Sequence, residues 1–409
     1  MPGSGDQQRD ALALIESIVA SYPRRRAGSV SERRAQELVG AALEAEGLST
    51  RSEPFDFCDN LYRVIALHFG LGTLGSLLGT RAPLAALALH LGAASYWRRS
   101  ALRTPMVHPL VPSGRSQNLL ATLPATEPLT LRLVIPAHID GGFTGRVFAS
   151  GVTHQLLSAI ARGPLAVLNQ PLALATYSQL ALAVLDGVTL VGGGRGAAAR
   201  WLRRGLSLPG LLTAVLSGEV ALRDEIVPGA NDDLSGVAGA MLLARRLGPS
   251  KPASVAIVVA ITGAEEVGLA GARALAESGC WSRDDTVVVA LDGIANGALH
   301  YFLEGEVERT PLASWLQELL DEVIASDPRF AAVTCHDVPA GGTDAYAFRQ
   351  RGFDGVCLGC VDPRLGTPRH YHQHSDVPDN LDMDELMLAV DFAEQLCRAI
   401  IAGRGVARR

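Results

Sequence analysis

Apolar positions along the chain fall into two rhythms. The runs 131–136, 254–261 and 286–291 are continuous, β-branched and of buried-strand length. Between and around them apolar residues recur at helical spacing, at 9–21 and at about 234–247, 267–278, 310–326 and 383–402. Ser29-Val-Ser-Glu32 reads as a capping box opening a further helix to about residue 46, where Gly47 ends it. Strands alternating with helices predict an α/β fold: a three-layer α/β/α sandwich around a central, mostly parallel mixed sheet.

Two stretches break that rhythm. Residues 61–98 are almost uninterruptedly apolar, split near Gly79-Thr-Arg-Ala-Pro83 into halves each shorter than the ~20 residues that span a bilayer. Within 156–224, the run 171–191 is long enough to span, and Arg200-Trp-Leu-Arg-Arg204 leads on to an apolar helix near 208–217. Gln179 and Asp186 weigh against a span, because a carboxylate at mid-membrane is costly. Trp97-Arg-Arg99 and Trp201-Leu-Arg-Arg204, however, sit where interfacial anchors do. The chain therefore divides into a main domain (1–60, 106–155 and 225–409) and two apolar helical insertions (61–105 and 156–224). The insertions form a small subdomain that packs on itself, joins two copies of the chain, or contacts a membrane surface.

Composition narrows the function. With 409 residues, 19% of them charged, and a formal net charge of -6, nothing favours nucleic acid as a partner. The amino terminus has no basic segment leading into an apolar one, which points to a cytoplasmic protein, with membrane association through the insertions as the variant. Cys58, Cys280, Cys335, Cys357, Cys360 and Cys397 then read as reduced, buried thiols. Cys357-Leu-Gly-Cys360 has redox spacing but lies in an apolar run that reads as a strand.

The informative polar residues follow strands. His138-Ile-Asp140 comes after the first run, Glu265-Glu266 after the second, and Asp292 ends the third. Ligands of open α/β sheets bind outside the carboxyl ends of strands, so these groups converge on one edge. Pro228-Gly-Ala-Asn-Asp-Asp-Leu-Ser-Gly236 and His370-Tyr-His-Gln-His-Ser-Asp376 add more, the latter with three of the chain's ten histidines. Mixed imidazole and carboxylate donors suit zinc, with cobalt or manganese as substitutes. The carboxylates outnumber what one tetrahedral ion needs, which favours two ions sharing a bridging carboxylate.

In this order the motifs resemble the co-catalytic di-zinc exopeptidases, the family of bacterial leucyl-type aminopeptidases, glutamate carboxypeptidase and glutaminyl cyclase. The matching segments are Ala137-His-Ile-Asp140, Gly229-Ala-Asn-Asp-Asp-Leu-Ser-Gly236, Ala264-Glu-Glu-Val-Gly-Leu269, Leu291-Asp-Gly293 and Tyr371-His-Gln-His-Ser-Asp376, with Gly342-Thr-Asp-Ala345 resembling an acidic turn. The resemblance implies that His138 and Asp292 hold one Zn2+, Glu266 and His372 the other, and Asp232 bridges them. It places Asp140 behind His138, accepting its second ring N–H, and makes Glu265 the general base acting on a zinc-activated bridging water. Of the three histidines, His372 is selected because it precedes Asp376 by four residues; His370 and His374 are neighbours that could replace it.

These implications describe a zinc metallopeptidase acting on peptides, most simply an aminopeptidase. A carboxypeptidase or glutaminyl cyclase on the same fold is the alternative, the cyclases resembling a single-zinc design. A non-enzymatic scaffold is disfavoured because all five ligand positions and the base are present.

Overall fold

The structure is a computed structural model, described here for residues 4–149, 170–307, 309–338 and 341–406. Its frame is an eight-stranded sheet built from β1 (Ser49–Cys58), β2 (Ser113–Leu123), β3 (Leu131–His138), β4 (Val255–Thr262), β5 (Thr286–Leu291), β6 (Ala298–Leu303), β7 (Thr334–Asp337) and β8 (Asp354–Val361). The order is β1-β2-β4-β3-β5-β8-β6-β7. The centre, β4-β3-β5-β8, is parallel, whereas β1, β2 and β6 join antiparallel neighbours. This is the mixed, mostly parallel-centred α/β sandwich that the strand-helix alternation predicts.

The continuous apolar runs are explained by burial on both faces. Leu133, Ile135, Ile257, Val259, Ile261, Val287 and Val289 point into one core, and Val134, Val258, Ala260 and Val288 into the other. The period-two pleat thus splits each run between two helical layers. The first layer holds α1 (Ser4–Ser21), α2 (Val30–Ala45), the helix Gly236–Leu247, Ser314–Ser326 and Met383–Val406; the second holds the short helices Ala270–Glu277 and Asp344–Arg349.

The insertions form helices α3 (Leu61–Leu78), α4 (Pro83–Ala94) and α5 (Tyr96–Ser100), then α6 (Pro171–Leu190) and α7 (Ala197–Arg223). Helices α3, α4, α6 and α7 pack against one another. The break between α3 and α4 falls where the glycine-proline tract predicts it. In contrast, the basic tract at 200–204 and the apolar stretch near 208–217 are one helix, α7, which continues through Pro209. Residues 156–169 of the second insertion lie outside the described residues.

Two local expectations change. Ser29 caps α2 by accepting from Glu32 N, but Glu32 does not close the box on Ser29. Its buried carboxylate accepts from Gly28 N, Ser116 Oγ and Ala264 N, tying α2 to the loop after β4, and burial pushes its pKa up to about 8. Of the six thiols, all free, Cys357, Cys360 and Cys397 are buried, while Cys280 and Cys335 are exposed on surface segments that the apolar pattern did not resolve. Cys357 and Cys360 lie within β8, as the strand reading requires.

Ile257, fully buried at the centre of the sheet, gives a direct check on this core. Ile257→Ala should lower unfolding free energy by about 2–5 kcal/mol, read as a shift in denaturation midpoint against the exposed control Glu37→Ala.

Candidate metal centre

The carboxyl ends of β3, β4 and β5 converge on one edge, where the loops 229–235 and 370–376 join them. There the structure brings together His138, Asp140, Asp232, Glu265, Glu266 and His372, all buried, with Asp292 partly exposed at the open side.

Two imidazoles define the centre. Nδ1 of His138 lies 3.1 Å from the carbonyl oxygen of Asp140, and Nδ1 of His372 lies 2.8 Å from that of Phe143. A carbonyl only accepts, so each Nδ1 carries the proton, and each neutral ring keeps its lone pair on Nε2. His138 Nε2 then faces Asp232 Oδ1 at 3.1 Å, while His372 Nε2 faces Asp232 Oδ2 at 3.5 Å and Glu266 Oε1 at 3.3 Å. Acceptors thus meet acceptors, and the two oxygens of Asp232 address two different rings. Among the described residues, the buried Glu266 Oε1 has no hydrogen-bond partner. Such an arrangement needs positive charge among its atoms, and nitrogen and carboxylate oxygen donors fit zinc.

Donor atoms of His138, Asp232 and Glu266 lie within 4.8 Å of one another, as do those of His138, Asp233 and Asp292. Asp233 is already occupied: its carboxylate accepts from the backbone N–H groups of His138, Gly236 and Gly293. Asp292 therefore remains the open donor of that second group. His370 instead meets Ser375 Oγ at 2.8 Å, and His374 is turned to Glu225 at 3.6 Å. Of the three histidines in the tract, His372 is the one that enters the cluster.

Electrostatics tell the same story. Burial pushes the Glu265 carboxyl well above the usual range, with Glu266 and Asp292 adding to the shift. Burial, then the charge of Asp232, raises Asp292 to about 8. Burial alone would lower His372, yet Glu266 and Asp232 outweigh it and bring the ring to about 9. Each group holds protons where a cation would otherwise neutralise the cluster.

Asp140 sits beside His138 as expected, but through its backbone as well as its carboxylate. Its backbone carbonyl, rather than its carboxylate, is nearest His138 Nδ1; Oδ1 lies farther, at 3.6 Å. The carboxylate accepts from Glu265 N at 3.0 Å and Glu266 N at 3.1 Å, fixing the loop that carries both glutamates. The family resemblance implies a direct carboxylate contact with the ring, whereas here the oxygens are taken up by two backbone donors.

Several supporting roles are not assigned by the sequence motifs. Asp376 accepts from Asn231 N and Asp232 N at 2.8 and 3.1 Å, holding the loop that presents Asp232. Arg25, fully buried, donates to the carbonyls of Tyr22, Ile139, Pro228 and Gly229, so it stitches three segments beneath the site. It sat in an arginine tract indistinguishable from a solvated charge run. Asp344, in the acidic turn, accepts from Thr262 Oγ1, and its charge acts on Glu265 and Asp292. The rings of Phe148 and Tyr371 lie 4.4 and 4.1 Å from that of His372, and Tyr62 of α3 packs edge-on to Phe143 and Phe148. Gly142 is required by space alone, because a Cβ there would lie 2.7 Å from Glu266 Oε1 and 3.0 Å from His372 Nε2.

Solved structures share the fold along nearly the whole chain. A zinc aminopeptidase from Bacillus subtilis matches with a TM-score of 0.56 at 13% identity, covering 95% of this chain and 94% of that one. An aminopeptidase from Aneurinibacillus sp. strain AM-1 matches at 0.55 and 15%, covering 95% and 93%. A glutaminyl cyclase from an Acidobacteriales bacterium matches at 0.56 and 15%, covering 98% and 96%. At these identities the likeness is one of fold. The sequence itself goes further, since residues 217–396 match the model of Peptidase family M28, a span that includes Asp232, Glu265, Glu266, Asp292 and His372. Through that segment the chain is similar to peptidase family M28.

Proposed function

We propose that the chain is an aminopeptidase in which His138 and Asp292 hold one zinc ion, Glu266 and His372 the other, and Asp232 spans both. The observation carrying this reading is the meeting of two Nε2 lone pairs with the oxygens of Asp232 and Glu266. Bound zinc would supply an acidic water and polarise the scissile carbonyl. Glu265 takes the proton from the attacking water and returns it to the leaving amine nitrogen. Its carboxyl suits that exchange because burial and the neighbouring carboxylates raise its affinity for a proton. Asp140 acts as a positioning residue, through its carbonyl on His138 and its carboxylate on the Glu265–Glu266 backbone. Asp376 positions Asp232 in the same way.

The choice of an amino terminus rests on charge. Arg25, the guanidinium acting on Asp232 and Asp376, is buried and committed to four backbone carbonyls. It has no means of receiving a substrate α-carboxylate. The surrounding carboxylates favour a cationic α-ammonium instead.

Glu265→Gln should retain its metal while kcat falls roughly 10²–10⁴-fold, measured by metal analysis beside turnover. His372→Ala should lose zinc, whereas His374→Ala should keep the wild-type content; equal losses from both would reject the assignment of His372. Aminoacyl anilides with a free amine should be hydrolysed and their N-acetylated counterparts left intact. Cleavage of the acetylated substrates from the carboxyl end, or ammonia release from N-terminal glutaminyl peptides without hydrolysis, would overturn the aminopeptidase reading.

A further inference from the structure

The four long insertion helices have their polarity reversed. A helical bundle in water buries apolar residues and exposes polar ones. Here the outward positions include Leu74, Leu77, Leu84, Leu91, Val184 and Leu211, with more along α6 and α7. Within 64–79, 83–94, 171–190 and 205–218 the acidic and basic side chains are His68, His90 and Asp186, and all three are buried.

The interior is correspondingly polar. His90 Nδ1 lies 2.6 Å from Asp186 Oδ2, and buried Arg203 donates to Asp186 and, at 2.7 Å, to Thr189 Oγ1. Ser76 meets His90 Nε2 at 3.1 Å and accepts from Ser207 at 2.9 Å. Gln179 fills the centre opposite Gly72 and Gly210, where a Cβ on either glycine would collide with its amide. Small residues at helix crossings and ionisable groups paired inside a bundle are what lipid, rather than water, demands.

Dimensions agree. The segments Leu61–Arg81, Pro171–Leu190 and Ala197–Arg223 are each long and apolar enough to cross a membrane. At ~1.5 Å per residue, α6 is roughly 30 Å long, the thickness of a hydrocarbon core. The helices form two hairpins, α3–α4 and α6–α7, with turns near 79–82 and 191–196; α3 follows β1, α4 leads through α5 towards β2, and α7 leads into the loop that carries Asp232. Trp97, Arg98 and Arg103 mark the end near the sheet, and Arg81, Arg195, Arg200 and Trp201 mark the distal end. Aromatics and arginines thus bracket an uncharged outer band.

We propose that this bundle is embedded in a lipid bilayer as two helical hairpins, with the α/β domain held at the membrane surface. Asp186, the residue that argued against a span in the sequence, supports one in the structure because His90 and Arg203 satisfy it inside the bundle. Tyr62, in the first turn of α3, packs on Phe148, whose ring in turn lies against His372, so the metal centre stands next to the end of the bundle nearest the sheet.

The full chain should remain in the membrane pellet through alkaline carbonate and enter solution only with detergent. Val184→Arg combined with Leu211→Arg should lower the pellet fraction at least roughly fivefold, given the cost of arginine at a helix centre. A conservative probe guards against misfolding: Leu211→Trp, reconstituted in phosphatidylcholine–phosphatidylglycerol vesicles, should emit at short wavelength and be quenched by lipids brominated on their acyl chains. A chain that stays in the supernatant without detergent, as a monomer or as a dimer covering the band, would overturn the proposal. So would water-like, unquenched emission from Leu211→Trp.

Discussion

The structure turns on a repulsion: two imidazole lone pairs and two carboxylates aimed at one another in a buried space. His138 and His372 cannot relieve it by exchanging tautomers, because each Nδ1–H already meets a backbone carbonyl. Asp232 cannot turn away, because Asp376 holds its backbone and its two oxygens are divided between the rings. Protonation would relieve part of the strain, as the raised His372 and Asp292 pKa values indicate. Divalent cations placed among these donors would relieve it, and the proposed zinc chemistry rests on that requirement.

Much of the surrounding fold serves to hold this arrangement against its own charge. Asp233 spends its carboxylate on three backbone donors from β3, the loop after β5 and the following helix. Asp140 does the same for the two glutamates. These buried acids are satisfied by N–H groups, so they keep the open ligands in place without competing for metal.

The strands and the ligand-bearing loops were legible because both follow simple rules. Buried parallel strands are continuous apolar runs, and sites gather at their carboxyl ends. What escaped notice was polar residues whose partners are backbone atoms from remote segments. Arg25 lies in an arginine tract that local spacing does not mark as buried, Glu32 read as a local cap, and the resemblance made the Asp140 carboxylate a partner for His138. None of these contacts leaves a trace in local spacing, because the donors and acceptors are main-chain groups present at every position. The insertions were ambiguous for a related reason. Asp186 is prohibitive in lipid if alone and acceptable if paired, and its partners lie on two other helices: His90 on α4 and Arg203 on α7.

Zinc-edge anomalous diffraction from crystals of the full chain tests the central claim most directly. It should show two zinc atoms, one beside His138 and Asp292, the other beside Glu266 and His372, each touching a different oxygen of Asp232. A single ion, or ions ligated without Asp232, would contradict it.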